Sequence, residues 1–254
     1  VVADDCGCGE LIAEAGAGES EYTRYDRRVA DIACDWLRGR SDDTPWVLFV
    51  SFVTPHFPLI APEEFFAQYP VDDMPLPKFG SHTDFESHPW HDALVRSTDA
   101  AAHGDRAHRT AIAAYLGLCT FMDHQVGRVL DALEDSGQAA RTRIVYTSDH
   151  GENAGNRGMW GKSNHYEESG GIPLIVAGPD IPSGQVKTTP ANLVDIHPTV
   201  LHATGQAFEQ DGTPGRSLLS LAQEPDDPER ISFSEYHAAR SPSGSFMVRK
   251  GRYK

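Results

Sequence analysis

The sequence predicts an α/β fold in which helices cover both faces of a mostly parallel β-sheet. Short apolar runs rich in β-branched and aromatic residues alternate with longer stretches of helical periodicity, which is typical of this class. The predicted core strands are Trp46–Val53, which is continuously apolar, Ile144–Tyr146 and Ile172–Val176. The apolar positions from Arg106 to Leu133 follow 3.6-residue spacing and predict a long helix that crosses over to strand 144–146.

Shorter elements complete this outline. The apolar spacing between Thr23 and Leu37 predicts a helix that ends near Gly39. Ile231–Tyr236 and Phe246–Tyr253 predict two further strands.

The composition excludes several classes of partner. The chain has 254 residues, 39% of them hydrophobic, which suffices for one large domain with its own core. Its formal charge of −15 argues against nucleic acid or an anionic membrane as a partner, and no apolar run reaches the length of a membrane span. Both chain ends look cut, so oligomeric state and compartment (periplasmic, extracellular or cytoplasmic) stay open.

The clearest chemical signal follows the predicted strand 144–146. The residues there are Ser148-Asp149-His150-Gly151-Glu152. Asp149 offers a hard oxygen and His150 a nitrogen, so the pair suits a divalent metal at the carboxyl end of a parallel strand. In isolation, such a pair is more often an ordinary polar strand end. The glycine-rich loop that follows, with the single lysine Lys162, favours the functional interpretation.

A second predicted strand also ends at a histidine. Strand 46–53 leads directly into Thr54-Pro55-His56-Phe57-Pro58, where the prolines restrict the backbone. His56 is either a strand cap in a stiff loop or a group aimed at a substrate oxyanion, and its residue type alone leaves both open. Because both motifs follow strand ends, we expect the side chains to converge on one cleft at the carboxyl edge of the sheet; they are His56, Asp149, His150 and Lys162.

The segment 71–105 is a long excursion rich in Pro, Asp, His and Ser. A metal cluster is one interpretation, since four histidines lie in it: His82, His88, His91 and His103. Their spacing fits no standard zinc pattern, so substrate selection by the loop is the favoured alternative.

The order and spacing of these pieces resemble the second half of a sulfatase, a family of the alkaline-phosphatase-like superfamily. The resemblance extends over nearly all of residues 22–254 and is carried by Ser148–Glu152, Gly158–Lys162, Tyr166–Ser169 and Ile172–Val176. It implies metal-assisted hydrolysis of a sulfate monoester, from a small molecule or a glycan, to an alcohol and sulfate. It also implies metal ligation by Asp149 and His150, and sulfate contacts by Lys162 and His56.

The implied metal is Ca²⁺, with Mg²⁺ or Mn²⁺ as alternatives. Position 150 is Asn in many sulfatases and His in others, so a phosphonate or phosphodiester hydrolase of the same superfamily stays open. A non-catalytic relative that binds sulfated ligands is the alternative from another class, although retention of all four site residues argues against it.

The resemblance also implies a formylglycine nucleophile, made from a cysteine in a Cys-x-Pro/Ala-x-Arg motif. Cys34–Arg38 has the Cys and Arg spacing but lacks the Pro or Ala and lies in a predicted helix. Asp4-Asp5 imitates the paired aspartates of the family without the strand–helix unit that should follow. We therefore expect the nucleophile in a missing N-terminal segment, and no turnover and weak metal binding by residues 1–254 alone.

The expected division of the chain follows from this comparison with the family. Residues 1–21 are predicted to be a loop or truncated N-terminal remnant. Residues 22–225 form a partial sulfatase-like domain, and residues 226–254 begin a C-terminal antiparallel subdomain.

Overall fold

A computed structural model describes residues 12–40, 44–79, 86–96, 103–206, 214–237 and 243–254. Asp4, Asp5 and His82 lie outside these residues. In the described part of the chain, no helix is both long enough and apolar enough to cross a membrane.

Two long helices form the main scaffold of the fold. The first, α1 (Glu21–Arg38), begins with a capping box in which the Ser20 hydroxyl accepts a hydrogen bond from the Thr23 amide and Thr23 accepts one from Ser20. It packs against α4 (Asp105–Asp135). The helices predicted from residues 23 and 106 onward are thus confirmed. The further α-helices that the described residues form are α2 (Glu63–Phe66), α3 (Pro89–Arg96), α5 (Glu167–Gly170), α6 (Ile196–Ala203) and α7 (Leu218–Gln223).

The main core lies along the small-residue face of α4. Ala111, Ala113 and Ala114 are fully buried there, which lets Leu59 and Trp160 pack closely against the helix. Gly117 continues this face, and a Cβ at that position would lie 3.2 Å from the backbone nitrogen of Phe66. The loop that carries Trp160 therefore rests directly on a rigid helix.

Within the ranges that the structure describes, the strands form three two-stranded pairs. A short parallel pair joins β1 (Gly16–Ala17) to β2 (Ile60–Ala61). An antiparallel pair joins β3 (Ile144–Thr147) to β4 (Leu174–Ala177), with Ile144 opposite Ala177. The third pair, β5 (Ile231–Tyr236) and β6 (Ser245–Lys250), is the predicted antiparallel hairpin.

The pairing of β3 with β4 corrects one expectation, since β3 was expected to be a parallel strand. A parallel return needs a crossover of a dozen or more residues that is usually helical. The connection between β3 and β4 contains only two short helical turns, α5 and a 3₁₀ turn at Asn156–Gly158, and otherwise follows an irregular path. The chain therefore returns beside β3 in the opposite direction.

The segment 46–53 also differs from its prediction as a strand covered on both faces. It is not assigned as a strand, and no backbone hydrogen bond joins residues 46–52 to another strand in the described ranges. Val47 and Phe49 are 60% and 89% exposed, whereas Trp46 and Leu48 pack near α1 and α4. One face of the apolar run is thus covered, and the other meets no partner among the described residues.

The C-terminal hairpin is attached to the domain by a buried ion pair. Asp195 is fully buried, and its two oxygens accept from the Arg230 guanidinium at 2.6 and 3.0 Å. The same carboxylate accepts from the backbone amides of Asn192 and Arg216, both at 2.8 Å. Asp195 thus closes the turn before α6 and also holds the residue that precedes β5.

Candidate functional site

The end of β3 presents Asp149 and His150 side by side. The Nε2 atom of His150 lies 3.5 Å from Oδ2 of Asp149, and the Nδ1 atom lies 2.9 Å from the carbonyl oxygen of Gly151. Since only an N–H can bond to that carbonyl, Nδ1 carries a proton, and Nε2 is the ring nitrogen that faces the carboxylate. A Cβ at Gly151 would lie 2.1 Å from the carbonyl oxygen of Glu168, so only glycine allows this turn.

The donor atoms of this pair fit one edge of a cation's coordination shell. Two ligand atoms at right angles around a cation about 2.4 Å away lie about 3.4 Å apart, close to the 3.5 Å observed. The Asp149 side chain is 82% exposed, so its oxygens are accessible to an ion. No group of three or more His, Cys, Asp or Glu side chains converges on a metal position within the described residues. The pair can therefore supply two ligands of a larger set.

Lys162 and His56 form a direct contact beside this pair. The Lys162 ammonium lies 2.7 Å from Nε2 of His56, and Nδ1 of His56 lies 2.8 Å from the carbonyl oxygen of Phe57. Nδ1 therefore donates to the carbonyl, and Nε2 accepts from the ammonium. Burial lowers the pKa of His56, and the nearby positive charge of Lys162 lowers it further. The pair thus carries its positive charge on Lys162.

The structure brings all four predicted residues together. The rings of His56 and His150 are 6.4 Å apart between centroids, which links the Lys162–His56 contact to the Asp149–His150 pair. The site combines an oxygen and a nitrogen donor for a metal with an ammonium and an imidazole for an anion. Such an arrangement can bind a divalent cation and an oxyanion next to each other.

The loop that carries Lys162 is held by Glu152, a residue that the sequence did not single out as functional. One oxygen of Glu152 accepts from the backbone amides of Ala154 at 3.0 Å and Gly161 at 2.6 Å, which closes the loop on itself. Burial raises the pKa of this carboxyl group, and the two amide hydrogen bonds oppose that effect. The sequence shows the glutamate but not its backbone partners, so this role had no sequence signal.

Amide side chains fix the backbone of Lys162 itself. Asn153, which is fully buried, donates from its side chain to the carbonyl oxygens of Gly161 and Lys162 at 2.5 and 3.2 Å. The side chain of Asn164 donates to the same Lys162 carbonyl at 2.7 Å. Gly161 adopts φ of +81°, a conformation that strains other residues, so a side chain there would oppose this path.

The histidines of segment 71–105 do not form a metal centre among the described residues. His91 is buried on α3 and packs edge-on against Tyr166, which places it in a small core rather than at the site. Cys34, which has only the Cys and Arg spacing of the formylglycine motif, lies within α1 with 3% of its surface exposed. Its thiol donates to the carbonyl oxygen of Arg128, so it packs as a core residue.

A model of the Sulfatase family matches residues 9–206. The chain belongs to the sulfatase family. It is 31% identical over 252 residues to a choline-sulfatase of Rhizobium meliloti, covering 94% of this chain and 49% of that protein. It is 30% identical over 237 residues to an arylsulfatase of Clostridium perfringens, covering 92% of this chain and 49% of that protein. The chain thus spans about half the length of these relatives.

A solved structure shares the fold of this sulfatase chain. The phosphonate monoester hydrolase of Silicibacter pomeroyi superposes with a TM-score of 0.77 at 26% identity, over 98% of this chain and 56% of that one. The predicted alkaline-phosphatase-like α/β class is confirmed by such neighbours. The superposition covers 98% of this chain, so the overall fold is shared even though β3 and segment 46–53 differ from their strand predictions.

The Lys162 loop of this sulfatase chain contacts α4 through a stacked pair of rings. His108 stacks on Trp160, with ring centroids 6.1 Å apart. Burial lowers the pKa of His108 below its ordinary value of 6.5, and His103 adds to the effect. Since the folded chain disfavours the charged ring, this histidine's contribution is complete above its ordinary pKa and is lost as the pH falls below it.

We therefore expect the thermal midpoint of the wild-type chain to fall more between about pH 7.5 and about pH 5.5 than that of a His108→Gln variant. The difference between the two pH profiles isolates this residue from the other titrating groups. Thermal melts followed by circular dichroism at several pH values measure it. Parallel profiles would show that His108 does not couple protonation to folding.

Proposed function

We propose that this chain supplies the metal-binding and anion-binding half of the active site of a sulfate monoester hydrolase. The contact of Lys162 with His56 next to the Asp149–His150 pair carries the proposal. It puts an ammonium, an imidazole and two metal donors within reach of one small oxyanion. Membership of the sulfatase family supports the reaction class.

In this proposal the residues of the chain act on the charge of the sulfate group. The Lys162 ammonium contacts the sulfuryl oxygens, which carry negative charge throughout the reaction. An entering anion favours protonation of Nε2 of His56, because it opposes the effects that lower the pKa of this ring. His56 then donates to the substrate while Nδ1 remains bound to the Phe57 carbonyl.

Asp149 and His150 would hold a divalent cation, which supplies charge neutralisation at the sulfuryl oxygens. Ca²⁺ is the proposed ion because Asp149 offers an exposed hard oxygen, with Mg²⁺ or Mn²⁺ as alternatives. The proposed nucleophile is a formylglycine, which the described residues do not contain. The proposed substrate is a sulfate ester of a small molecule or a glycan.

Phosphonate monoester hydrolysis is the second candidate, because the structural neighbour from Silicibacter pomeroyi bears that name. Both substrates present an ester oxygen and anionic oxygens to the same residues. Both are monoanions, but the sulfuryl group has three non-bridging oxygens, whereas the phosphonyl group has two and an additional carbon substituent. The four site residues therefore support both reactions, and a direct comparison of rates is required.

The test is a rate comparison on the complete gene product with para-nitrophenyl sulfate and para-nitrophenyl phenylphosphonate, with and without a chelator. We expect a higher kcat/KM for the sulfate ester, and loss of activity when the divalent cation is removed. His56→Ala should lower kcat/KM, whereas Lys250→Ala, which removes an exposed lysine paired with Glu229, should leave it unchanged. Faster turnover of the phosphonate would establish the second candidate, and no turnover of either ester would contradict both.

A further inference from the structure

We propose that Asp26 is a positioning residue for His56, an inference that rests on the proposed role of His56 at the sulfate group. Asp26 lies on α1, outside both site motifs, and its side chain is fully buried. It contacts the backbone just before His56 rather than the ring itself. We infer that it determines where the ring stands relative to Lys162.

The carboxylate collects three hydrogen bonds from two consecutive residues. Its Oδ1 accepts from the Val53 amide at 2.9 Å, and its Oδ2 accepts from the Thr54 amide at 2.8 Å and the Thr54 hydroxyl at 2.6 Å. All three distances lie in the normal hydrogen-bonding range. Two residues of backbone are therefore fixed to α1 immediately before the turn.

The turn transmits this position to the imidazole. The His56 amide donates to the Val53 carbonyl at 3.1 Å, so the anchored residue also closes the turn that presents His56. The Nδ1–H donation to Phe57 then sets the orientation of the ring. Upstream, residues 46–52 have no backbone hydrogen bonds to another strand in the described ranges, so the bonds to Asp26 are the ones that fix the backbone just before the turn.

A second side chain of α1 reaches the ring directly. Tyr22, one helical turn before Asp26, meets the His56 ring edge-on with 6.2 Å between centroids. The same face of α1 therefore binds the backbone before His56 through Asp26 and contacts the His56 ring through Tyr22. This helix also packs along α4, which supports the Trp160 loop, so both loops share one rigid base.

Only a carboxylate satisfies all three donors. It has two acceptor oxygens and no hydrogen, whereas the amide of asparagine has one acceptor oxygen and an NH₂ group. In an Asp26→Asn variant the NH₂ group would face an N–H, and at least one buried amide would lose its partner. The turn would then relax away from α1, and the Lys162–His56 contact would open.

The experiment is a double-mutant cycle of Asp26→Asn with His56→Ala in the complete gene product, assayed with para-nitrophenyl sulfate. A displacement of about 1 Å at a catalytic group costs about 100-fold in rate, so we expect a loss of about that size, mainly in kcat. In the His56→Ala background Asp26→Asn should cost almost nothing, because the group that it positions is gone. Asp31→Asn is the matched control, since Asp31 lies on the same helix, is exposed and pairs with Arg128.

Several outcomes would overturn the inference. One is that Asp26→Asn has no effect on kcat. Another is that it lowers kcat equally with and without His56, as a general structural role predicts. Should Asp26→Asn fail to fold, Thr54→Val removes one of the three donors at nearly constant volume and should give a smaller loss with the same dependence on His56. No effect of His56→Ala itself would contradict the proposed function rather than the positioning role.

A spectroscopic readout tests the positioning without relying on activity. In the wild-type chain His56 holds its proton on Nδ1, so nitrogen-15 histidine NMR should show a single neutral tautomer for this ring. Asp26→Asn should mix the two tautomers at His56, whereas Asp31→Asn should leave the spectrum unchanged. An unchanged His56 tautomer in folded Asp26→Asn protein would show that Asp26 does not position the ring.

Discussion

Replacing Lys162 with alanine is expected to lower turnover of a sulfate ester by about 100- to 1,000-fold, while bound divalent metal stays near its wild-type level. An ammonium cannot ligate a cation, so its loss removes charge stabilisation of the sulfuryl oxygens but no metal ligand. The 2.7 Å contact with His56 places this charge where the anion would bind. The measurement combines steady-state kinetics of the complete gene product with metal analysis of the purified protein.

Asp149→Ala provides the contrast in this pair of variants. It removes a proposed ligand, so metal content and turnover should fall together. Lys250→Ala serves as the control for loss of a lysine, because it breaks only an exposed pair with Glu229. Loss of metal in Lys162→Ala with retention in Asp149→Ala would reverse the roles assigned to these residues.

Replacing Asp195 with alanine is expected to lower the free energy of unfolding by about 3–5 kcal/mol. The change leaves the Arg230 guanidinium, whose side chain is only 11% exposed, without its carboxylate in a site closed to water. It also removes the acceptor for the Asn192 and Arg216 amides. Chemical denaturation of the 254-residue chain measures the effect and requires no enzymatic activity.

Asp180→Ala is the matched control for this stability prediction. Asp180 also pairs with an arginine, Arg143, at 2.8 Å, but its side chain is 75% exposed. Exposed pairs contribute about 0–1 kcal/mol, so this variant should unfold close to the wild type. Equal destabilisation by the two changes would show that burial does not determine the importance of the Asp195–Arg230 pair.

The sequence predicted the parts of the site that follow predicted strands. Asp149, His150 and His56 come directly after short apolar runs, and Lys162 is the only lysine of a glycine-rich loop. Their side-chain chemistry is visible in the residue types, and the structure places them together. The long helices were equally accessible, because apolar spacing over many residues is a strong local signal.

Residues that act through backbone amides were not accessible to the same reasoning. Asp26 lies in the middle of an amphipathic helix, where a charged residue is expected to be exposed. The groups that donate to it belong to Val53 and Thr54, which are 27 and 28 residues away. Glu152 likewise bonds to Gly161, and that pairing depends on the path of an irregular loop. The direction of β3 relative to β4 was missed for a related reason, since it depends on how the loop between them returns.

The run from Val47 to Ser51 leads to His56 with only one of its faces covered, because Leu48 packs near α1 and α4 while Val47 and Phe49 are exposed. Its amides have no strand partner in the described ranges, so they are open to exchange with solvent and to local bending. That freedom ends at Val53 and Thr54, where the hydrogen bonds to Asp26 begin. The backbone is therefore fixed two residues before the imidazole, and bending of the apolar run is not expected to displace His56.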